Sequence, residues 1–416
     1  MKIAFVEPAG KGGMIHYAYQ LCSALAEGGA DVTLITDDNY ELDALQPRFR
    51  VEKLLSLWDP KPPGQPSTAW WAVALRKLRR VGRGIRYYRQ WTRLAPRLRE
   101  LDPDLVLLGD IRFPFDYFPL RRLRKSVRVM ADICHNVHPF TQGAGKSAGL
   151  FTRSRWRRFF YRRIYHLFDR VFVHFDRNRH ELTDTFGIPQ NRVGVIVHGN
   201  ELIFDELRTP GIDAATLRAR AGVGPQEPMI LLFGLLSRYK GADILLQAFP
   251  RVRKETGAKL VFAGYPSDDF DLPMHQELAR KLGVADSVVW VPEYIPSGHV
   301  AAWMEAASVI VFPYRDIYQS GALHVAQTFG VPIVASAIGA MQDVIENEVS
   351  GLLVPPENPD ALADALIRLL QDRALASRLG ARAAADARGT FSWQSIARTI
   401  VGPPLAASAE PAGRIQ

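Results

Sequence analysis

Ile3-Ala4-Phe5-Val6, then Gly10-Lys11-Gly12-Gly13, then a helical stretch from about Tyr17 to Glu27, then Val32-Thr33-Leu34-Ile35-Thr36: these four pieces come in order within the first thirty-six residues. The two short apolar runs have the length of buried strands, the glycines make a turn, and the periodic segment between them reads as a helix. Together they form one βαβ unit, and the rest of the chain repeats the theme. Residues Asp104 to Leu108, Val127 to Ala131, Val171 to His174 and Val193 to Val197 are further apolar runs, with helical segments between most of them. Strands without polar alternation, joined by helices, imply a parallel sheet covered on both faces.

From Thr209 to Pro228 the chain is rich in Gly, Pro and Ala, carries one weak helical stretch, and reads as a linker. A second alternation follows. Strands are expected at Met229 to Phe233, Lys259 to Ala263, Val288 to Val291, Val309 to Phe312 and Ile333 to Ala335. Helices are expected at Asp243 to Glu255, His275 to Leu282, His299 to Ala306 and Asp360 to Arg382. The expected fold class is therefore α/β, with two tandem doubly wound, Rossmann-like domains. The expected divisions are 1–208, a linker 209–228, 229–389, a helix 390–402 packing back on the first domain, and a disordered tail 403–416. Two such domains in tandem are expected to bind ligands in a central cleft at the carboxyl ends of their strands.

A length of 416 residues exceeds what one core supports, in keeping with two domains. With 47% hydrophobic and 23% charged residues, the composition is that of a globular enzyme and not of a disordered or fibrous chain. Cys22 and Cys134 are too few for a disulfide framework or a zinc site, which fits a reducing compartment. The first apolar run stops at Glu7-Pro8, short of a secretory signal, and no run reaches the roughly 18 residues of a membrane span. The expected location is cytoplasmic, with peripheral attachment to the inner membrane.

That attachment is suggested by the charge. The net charge of +9 implies an anionic partner, and it is concentrated in three stretches of the first half. These are Arg76, Lys77, Arg79, Arg80, Arg83, Arg86 and Arg89; then Arg121, Arg122, Arg124 and Lys125; then Arg153, Arg155, Arg157, Arg158, Arg162 and Arg163. Aromatic residues interleave with them at Trp70-Trp71, Tyr87-Tyr88-Arg89-Gln90-Trp91 and Trp156-Arg157-Arg158-Phe159-Phe160-Tyr161. Cations that bind headgroups and rings that favour the interface suit an anionic membrane surface. The plain alternative is that the rings face the core and the arginines are merely solvated.

Two stretches of the second domain are suited to phosphate. In Phe233-Gly234-Leu235-Leu236-Ser237-Arg238-Tyr239-Lys240-Gly241 a strand passes into a helix, and Arg238 and Lys240 offer two cations while glycines permit close approach. In Phe312-Pro313-Tyr314-Arg315-Asp316-Ile317-Tyr318-Gln319-Ser320-Gly321-Ala322-Leu323 a helix starts near Gly321, and its free amides suit an anion, although an ordinary serine cap explains the same residues. In the first domain, Gly10-Lys11-Gly12-Gly13 lacks the dinucleotide spacing, so it is a glycine turn open to an anion or a substrate. Cys134-His135-Asn136 follows a strand, which would carry His135 to the cleft, though a lone histidine is more often structural than catalytic.

Taken in order, these stretches resemble glycosyltransferase family four, the retaining group with the GT-B fold. The resemblance runs from Ile3 to about Val401. It rests on Gly12-Gly13, His135-Asn136, Val197-His198-Gly199-Asn200, Tyr239-Lys240-Gly241, Phe262-Ala263-Gly264, Phe312-Pro313-Tyr314, Phe329-Gly330-Val331-Pro332 and Ser350-Gly351-Leu352-Leu353. It implies a nucleotide-sugar donor, with Lys240 on the diphosphate, Arg238 beside it, and the amides of Gly321, Ala322 and Leu323 on the distal phosphate. It further implies His135 as the catalytic residue on the transferred sugar, Gly13 closing over the donor, and the base packing near Val291 to Tyr294. No metal and no cofactor beyond the nucleotide sugar is implied.

Two departures stand out. Where the family often has Arg after the glycine of the phosphate strand, this chain has Leu235, with Arg238 as the substitute. The paired glutamates fall, by alignment from Pro332, at Ile317 and Val325, so the acid that usually holds the ribose is missing; Gln319-Ser320-Gly321 resembles a variant subgroup, and His324 or Gln327 is the expected substitute. The expected reaction is same-face attack by an acceptor hydroxyl on a departing nucleotide diphosphate stabilised by cations and a helix start. The expected acceptor is a lipid-linked saccharide or surface-polysaccharide precursor. The rivals are a GT-B sugar-nucleotide epimerase or inactive scaffold, and a nucleic-acid-binding protein; no nucleic-acid module is recognisable.

Overall fold

The computed structural model describes residues 1–56, 88–109, 113–137 and 155–402. The basic residues Arg76 to Arg86, Arg153, the aromatic residues Trp70, Trp71 and Tyr87, and the tail expected to be disordered lie outside the described residues. The chain divides into two compact units. The first comprises residues 1–140, 148–197 and 393–416, and the second 141–147 and 198–392.

The first unit holds a seven-stranded sheet of β1 (Lys2–Val6), β2 (Asp31–Asp37), β3 (Arg50–Leu55), β4 (Leu105–Leu108), β5 (Val129–Ile133), β6 (Arg170–Val173) and β7 (Val193–Val195), in the order β3-β2-β1-β4-β5-β6-β7. Every neighbouring pair is parallel. Apart from its first residue, β1 is fully buried, as expected of a central strand between two helical layers. Strand β3 was not expected from the sequence. Its residues Arg50-Val51-Glu52-Lys53-Leu54-Leu55 mix charged with apolar side chains because it lies at the sheet edge and is half exposed.

The second unit holds β8 (Met229–Phe233), β9 (Lys259–Ala263), β10 (Val288–Val291), β11 (Val309–Phe312), β12 (Ile333–Ser336) and β13 (Leu352–Val354), all parallel, in the order β10-β9-β8-β11-β12-β13. Phe249, Leu245 and Leu246 of the helix Ala242–Thr256 and Leu366 of the helix Pro359–Gln371 pack in one core with Phe262 and Leu260 of β9. The single helix expected over Asp360 to Arg382 is two, Pro359–Gln371 and Arg373–Arg388. Asp372 separates them because its side chain accepts from the Leu375 amide and caps the second helix, drawing the backbone out of helical geometry.

The chain passes from the first unit to the second at Val197–His198, not at 208–209. Residues 209–228 are consequently part of the second unit and not a free linker. Thr209 donates its amide to Gly298, and Arg218, on the helix Ala214–Arg220, donates to the Ala306 carbonyl. The helix Trp393–Val401 falls in the first unit, where Arg170 Nη1 donates to the carbonyls of Ile400 and Gly402 at its carboxyl end.

Each sheet order reverses direction beside its first strand, between β1 and β4 in one unit and between β8 and β11 in the other. Open parallel sheets bind ligands at such switch points, outside the carboxyl ends of the strands. The glycine turn follows β1, and the two phosphate-suited stretches follow β8 and β11.

Candidate functional site

In the second unit, Gly234 leaves β8 with a left-handed φ of 92°, and the chain turns through a short 3-10 segment, Arg238–Lys240. Gly241 ends that segment at φ 69°, and a Cβ there would lie 2.0 Å from the Pro313 carbonyl oxygen. Only glycine lets the two loops touch so closely. Arg315 then ties them together. Its guanidinium takes both oxygens of Asp243 at 2.9 and 2.7 Å, Glu357 at 3.0 Å and the Arg238 carbonyl at 3.1 Å, while its amide donates to Tyr239. Arg315 is thus a clamp on the loops, its charge already matched by two carboxylates.

Lys240 is buried at 4% exposure, with Nζ donating to the Phe233 carbonyl at 3.0 Å and lying 5.4 Å from the Tyr314 ring centroid. Burial pushes its ammonium down to about 7, because no carboxylate compensates the lost hydration. A Cβ at Gly234 would stand 3.2 Å from Nζ, so glycine also keeps the face of this cation open. Tyr314 is fully buried; burial pushes its phenol up, with the Ser320 hydroxyl opposing. Lys240 and Ser320 therefore flank one aromatic ring.

Ser320 caps the helix Gly321–Thr328, its hydroxyl accepting from the Leu323 amide at 3.3 Å, and a Cβ on Gly321 would meet nothing within 4 Å. The first turn holds no acidic residue. A buried cation beside an open helix start is an arrangement suited to a phosphate group. Arg238 and Leu235 are both exposed on the same loop. Ser237, which sits between them in sequence, is engaged with both oxygens of Asp269 at 2.8 and 2.9 Å.

The other expected contacts have their own surroundings. His324 is 2% exposed, stacked face to face on His198 with centroids 4.6 Å apart, and meets Phe391 edge-on. His324, one of the two residues expected in place of the missing acid, thus lies in a buried ring cluster. Burial pushes the His198 imidazole down to about 4. Gln327, the other substitute, is fully buried, and its side-chain amide has no hydrogen-bond partner among the described residues. Gln319 is half-buried just before the cap, Val291 accepts from the amides of Gly264 and Glu293, and Tyr294 is 53% exposed.

In the first unit, the glycine turn has separable causes. A Cβ on Gly10 would meet the Asn39 carbonyl at 2.6 Å, and Gly12 has φ 81°, whereas Gly13 faces open space at the start of the helix Gly13–Glu27. Glu41 closes the turn: its carboxylate accepts from the Gly12 amide at 2.6 Å and from His16 Nε2 at 2.9 Å. The protein thus supplies its own anion at this helix start, which counts against the expectation that the turn binds one.

His135 follows β5 and His174 follows β6. The chain brings them together because those strands are neighbours, with His174 Nε2 at 2.9 Å from His135 Nδ1 and His174 Nδ1 at 3.0 Å from the Ile196 carbonyl. Tyr17, from the helix after the glycine turn, meets both rings edge-on, and Trp393 packs against Tyr17 at 4.8 Å. Sequence reading missed His174, which lies 39 residues from its partner; only the strand order reveals the pair. Cys134 and Cys22 are buried thiols pushed up by desolvation. Among the described residues no cluster of three His, Cys, Asp or Glu side chains is placed to hold a metal ion.

A second surface of this unit carries rings and cations together. Along the helix Arg155–Tyr165, Tyr161, Ile164 and Tyr165 face inward, while Trp156 and Phe159 are 59% and 51% exposed. Phe160 touches both of them and Phe118, itself 52% exposed. Arg163 lies over Phe159 at 4.7 Å, and Arg121, Arg122, Arg157, Arg158 and Arg162 are exposed. The rings therefore do not all turn into the core. Among the described residues no helix is long and apolar enough to cross a membrane.

Two parallel Rossmann-like sheets in one chain, with phosphate-suited loops at the switch point of the second, define the GT-B architecture. Residues 12–199 match the family model described as glycosyl transferase 4-like domain, and residues 227–372 the one described as glycosyl transferases group 1. The chain belongs to the family-four glycosyltransferases of GT-B fold. The D-inositol 3-phosphate glycosyltransferase of Kribbella flavida is 36% identical over 243 residues, which is 56% of this chain and 55% of that one. The chain spans about half the length of the curated relatives it matches. Sucrose-phosphate synthase from Thermosynechococcus elongatus has the same fold, with a TM-score of 0.70 at 23% identity over 96% of this chain and 97% of that one. Anabaena Alr3699/HepE in complex with UDP and glucose gives 0.69 at 17%, over 96% and 98%.

Proposed function

We propose that this protein is a retaining glycosyltransferase that moves a sugar from a nucleoside diphosphate to an acceptor hydroxyl. The observation that carries the reading is the buried Lys240 ammonium beside the open, serine-capped helix start at Gly321. Both act on the departing diphosphate, where negative charge develops, and the low-polarity surroundings strengthen each. Arg238 adds a third, exposed positive contribution. Val291 and Tyr294 are assigned to the base, and Gln319 to the edge of the donor site. In the first unit, His135 and Gly13 are assigned to the transferred sugar. The acceptor hydroxyl attacks on the face the diphosphate leaves, and the diphosphate takes its proton.

The acceptor in this reading is a lipid-linked saccharide or surface-polysaccharide precursor, reached from an anionic membrane surface through Trp156, Phe159, Phe118 and the arginines around them. Several cations at about 1 kcal/mol each, together with inserted rings, suffice for reversible docking. That the Kribbella flavida relative is named for a phosphorylated acceptor fits a chain with net positive charge.

The test is a thermal-shift screen with UDP, GDP, ADP and their sugar conjugates, followed by a transfer assay with the nucleotide that binds. Binding to the folded state raises apparent stability by about 2.7 kcal/mol at a hundredfold excess over Kd. Stabilisation by one nucleotide, lost in Lys240→Met, and sugar transfer from its conjugates are the expected results. Binding without transfer favours an epimerase or an inactive scaffold, for which Leu235 and the missing paired glutamates are the motive.

A further inference from the structure

We propose that His174 is a positioning residue that fixes the tautomer of His135, so that His135 meets the sugar as a hydrogen-bond acceptor at Nε2. The inference rests on the reading above, in which His135 contacts the transferred sugar. Its starting point is a carbonyl. The Ile196 oxygen only accepts, so His174 Nδ1, 3.0 Å away, carries a hydrogen. His174 is 1% exposed, and in the neutral ring its Nε2 then holds a lone pair. That lone pair lies 2.9 Å from His135 Nδ1, so the hydrogen between the two rings belongs to His135 Nδ1. In a neutral ring this leaves the His135 lone pair on Nε2. The hydrogen bonds thus run in one direction, from His135 through His174 to the sheet backbone, and each ring's second nitrogen sets the state of the next.

Orientation is fixed as firmly as protonation. Tyr17 stands edge-on to His135 at 4.8 Å and 88° and to His174 at 5.9 Å and 71°, with Trp393 behind it at 4.8 Å. The Ile196 amide donates to the Val173 carbonyl and the Cys134 amide to the Phe172 carbonyl, so both histidines hang from paired backbone.

The chemical consequence is a polarity. A lone pair at Nε2 accepts from an O–H and repels a phosphate oxygen, so His135 suits a sugar hydroxyl and not the leaving diphosphate. A proton taken up at Nε2 would be stabilised by the Nδ1–H donated to His174. The pair therefore favours proton acceptance at that atom over proton donation from it.

The experiment uses the full chain with histidine labelled by nitrogen-15, and long-range proton–nitrogen correlation at pH 7.5 without ligand. His135→Gln and His174→Gln spectra supply the assignments. The expected result is the Nδ1–H tautomer at both histidines, with the fixed His135 signature lost in His174→Phe. An Nε2–H tautomer at His135, or a doubly protonated His174, overturns the proposal from the wild-type spectrum alone, whatever the folding of the variants.

Transfer kinetics supply the second readout. Glutamine at 174 places an oxygen near the former Nε2 and can still accept from His135, whereas phenylalanine fills the space and cannot. With the buried donor left unmet, kcat/KM in His174→Phe should fall tenfold to a hundredfold, by about the cost of one unsatisfied buried group. His174→Gln should stay within about fivefold of wild type on the same scale. Equal losses in the two variants overturn the positioning role. Should the wild-type protein transfer no sugar, the functional reading falls, while the spectrum still decides the tautomer.

Discussion

The affinity of this protein for a nucleotide sugar should fall as the pH rises through 7, and Lys240 should be the cause. In the ligand-free protein, burial holds the Lys240 ammonium at about 7, against an ordinary value of 10.5. A bound diphosphate restores the charged form, so above pH 7 binding takes up a proton and weakens as protons become scarce. Below pH 7 the lysine is already charged and affinity levels off. If the lysine returns to its ordinary value in the complex, it is roughly three-quarters charged at pH 6.5 and about 3% charged at pH 8.5 in the free protein, so Kd rises about 25-fold between them. A nucleotide sugar is the ligand to use, because its diphosphate does not titrate in that range.

Isothermal titration calorimetry in two buffers of different ionisation enthalpy reads both Kd and proton uptake, which should reach about 0.9 per site at pH 8. Lys240→Met should weaken binding at pH 6.5 by about 2 kcal/mol, roughly thirtyfold, the scale of one charge-assisted hydrogen bond. It should also abolish the pH dependence. A wild-type Kd that is flat from pH 6.5 to 8.5, or a slope that survives in Lys240→Met, would refute the assignment of this cation to the diphosphate.

Two further outcomes concern the contact of the donor loops and the ring-bearing helix. Gly241→Ala should cost at least about 3 kcal/mol and abolish donor binding, because left-handed backbone and a clash with the Pro313 carbonyl add together. Gly222→Ala, at φ 62° with nothing within 4 Å, carries only the backbone cost of about 1 to 2 kcal/mol; equal urea-denaturation losses in the two would count against the close approach of the loops. Sedimentation with vesicles containing anionic lipid should show binding that weakens with salt and drops about tenfold or more in the double variant Trp156→Ser, Phe159→Ser. Unchanged binding in that variant would assign membrane attachment to charge alone.

Much of the fold was legible because strands buried on both faces leave unbroken apolar runs. In the second unit, β8 to β11 lie at the residues expected of them. What escaped was structure whose signal is mixed or remote. β3 at the sheet edge mixes charged with apolar residues, β13 is three residues long, and the break at Asp372 is made by one cap inside an otherwise continuous helical pattern. The site divides in the same manner. Lys240 and Gly241 were readable because a glycine, a cation and a strand end adjoin in sequence. The clamp at Arg315 was not readable, because Asp243 and Glu357, which meet its guanidinium, lie 72 and 42 residues away. His324 has a readable helical position, but periodicity did not reveal that His198 would stack on it.

The two helix starts at the two switch points differ in their electrostatics. The helix Gly13–Glu27 begins with the Glu41 carboxylate on the Gly12 amide, so its positive end is already met by a negative charge from the protein. A phosphate arriving there would face that carboxylate before it reached a donor. The helix Gly321–Thr328 begins with a neutral serine hydroxyl, no acidic residue in its first turn, and a buried ammonium across Tyr314. Adding an anion there relieves the desolvation that holds Lys240 near 7, whereas adding one beside Glu41 adds repulsion. Of the two helix starts, the one at Gly321 is therefore the one whose electrostatics suit a phosphate, because the protein has already neutralised the other.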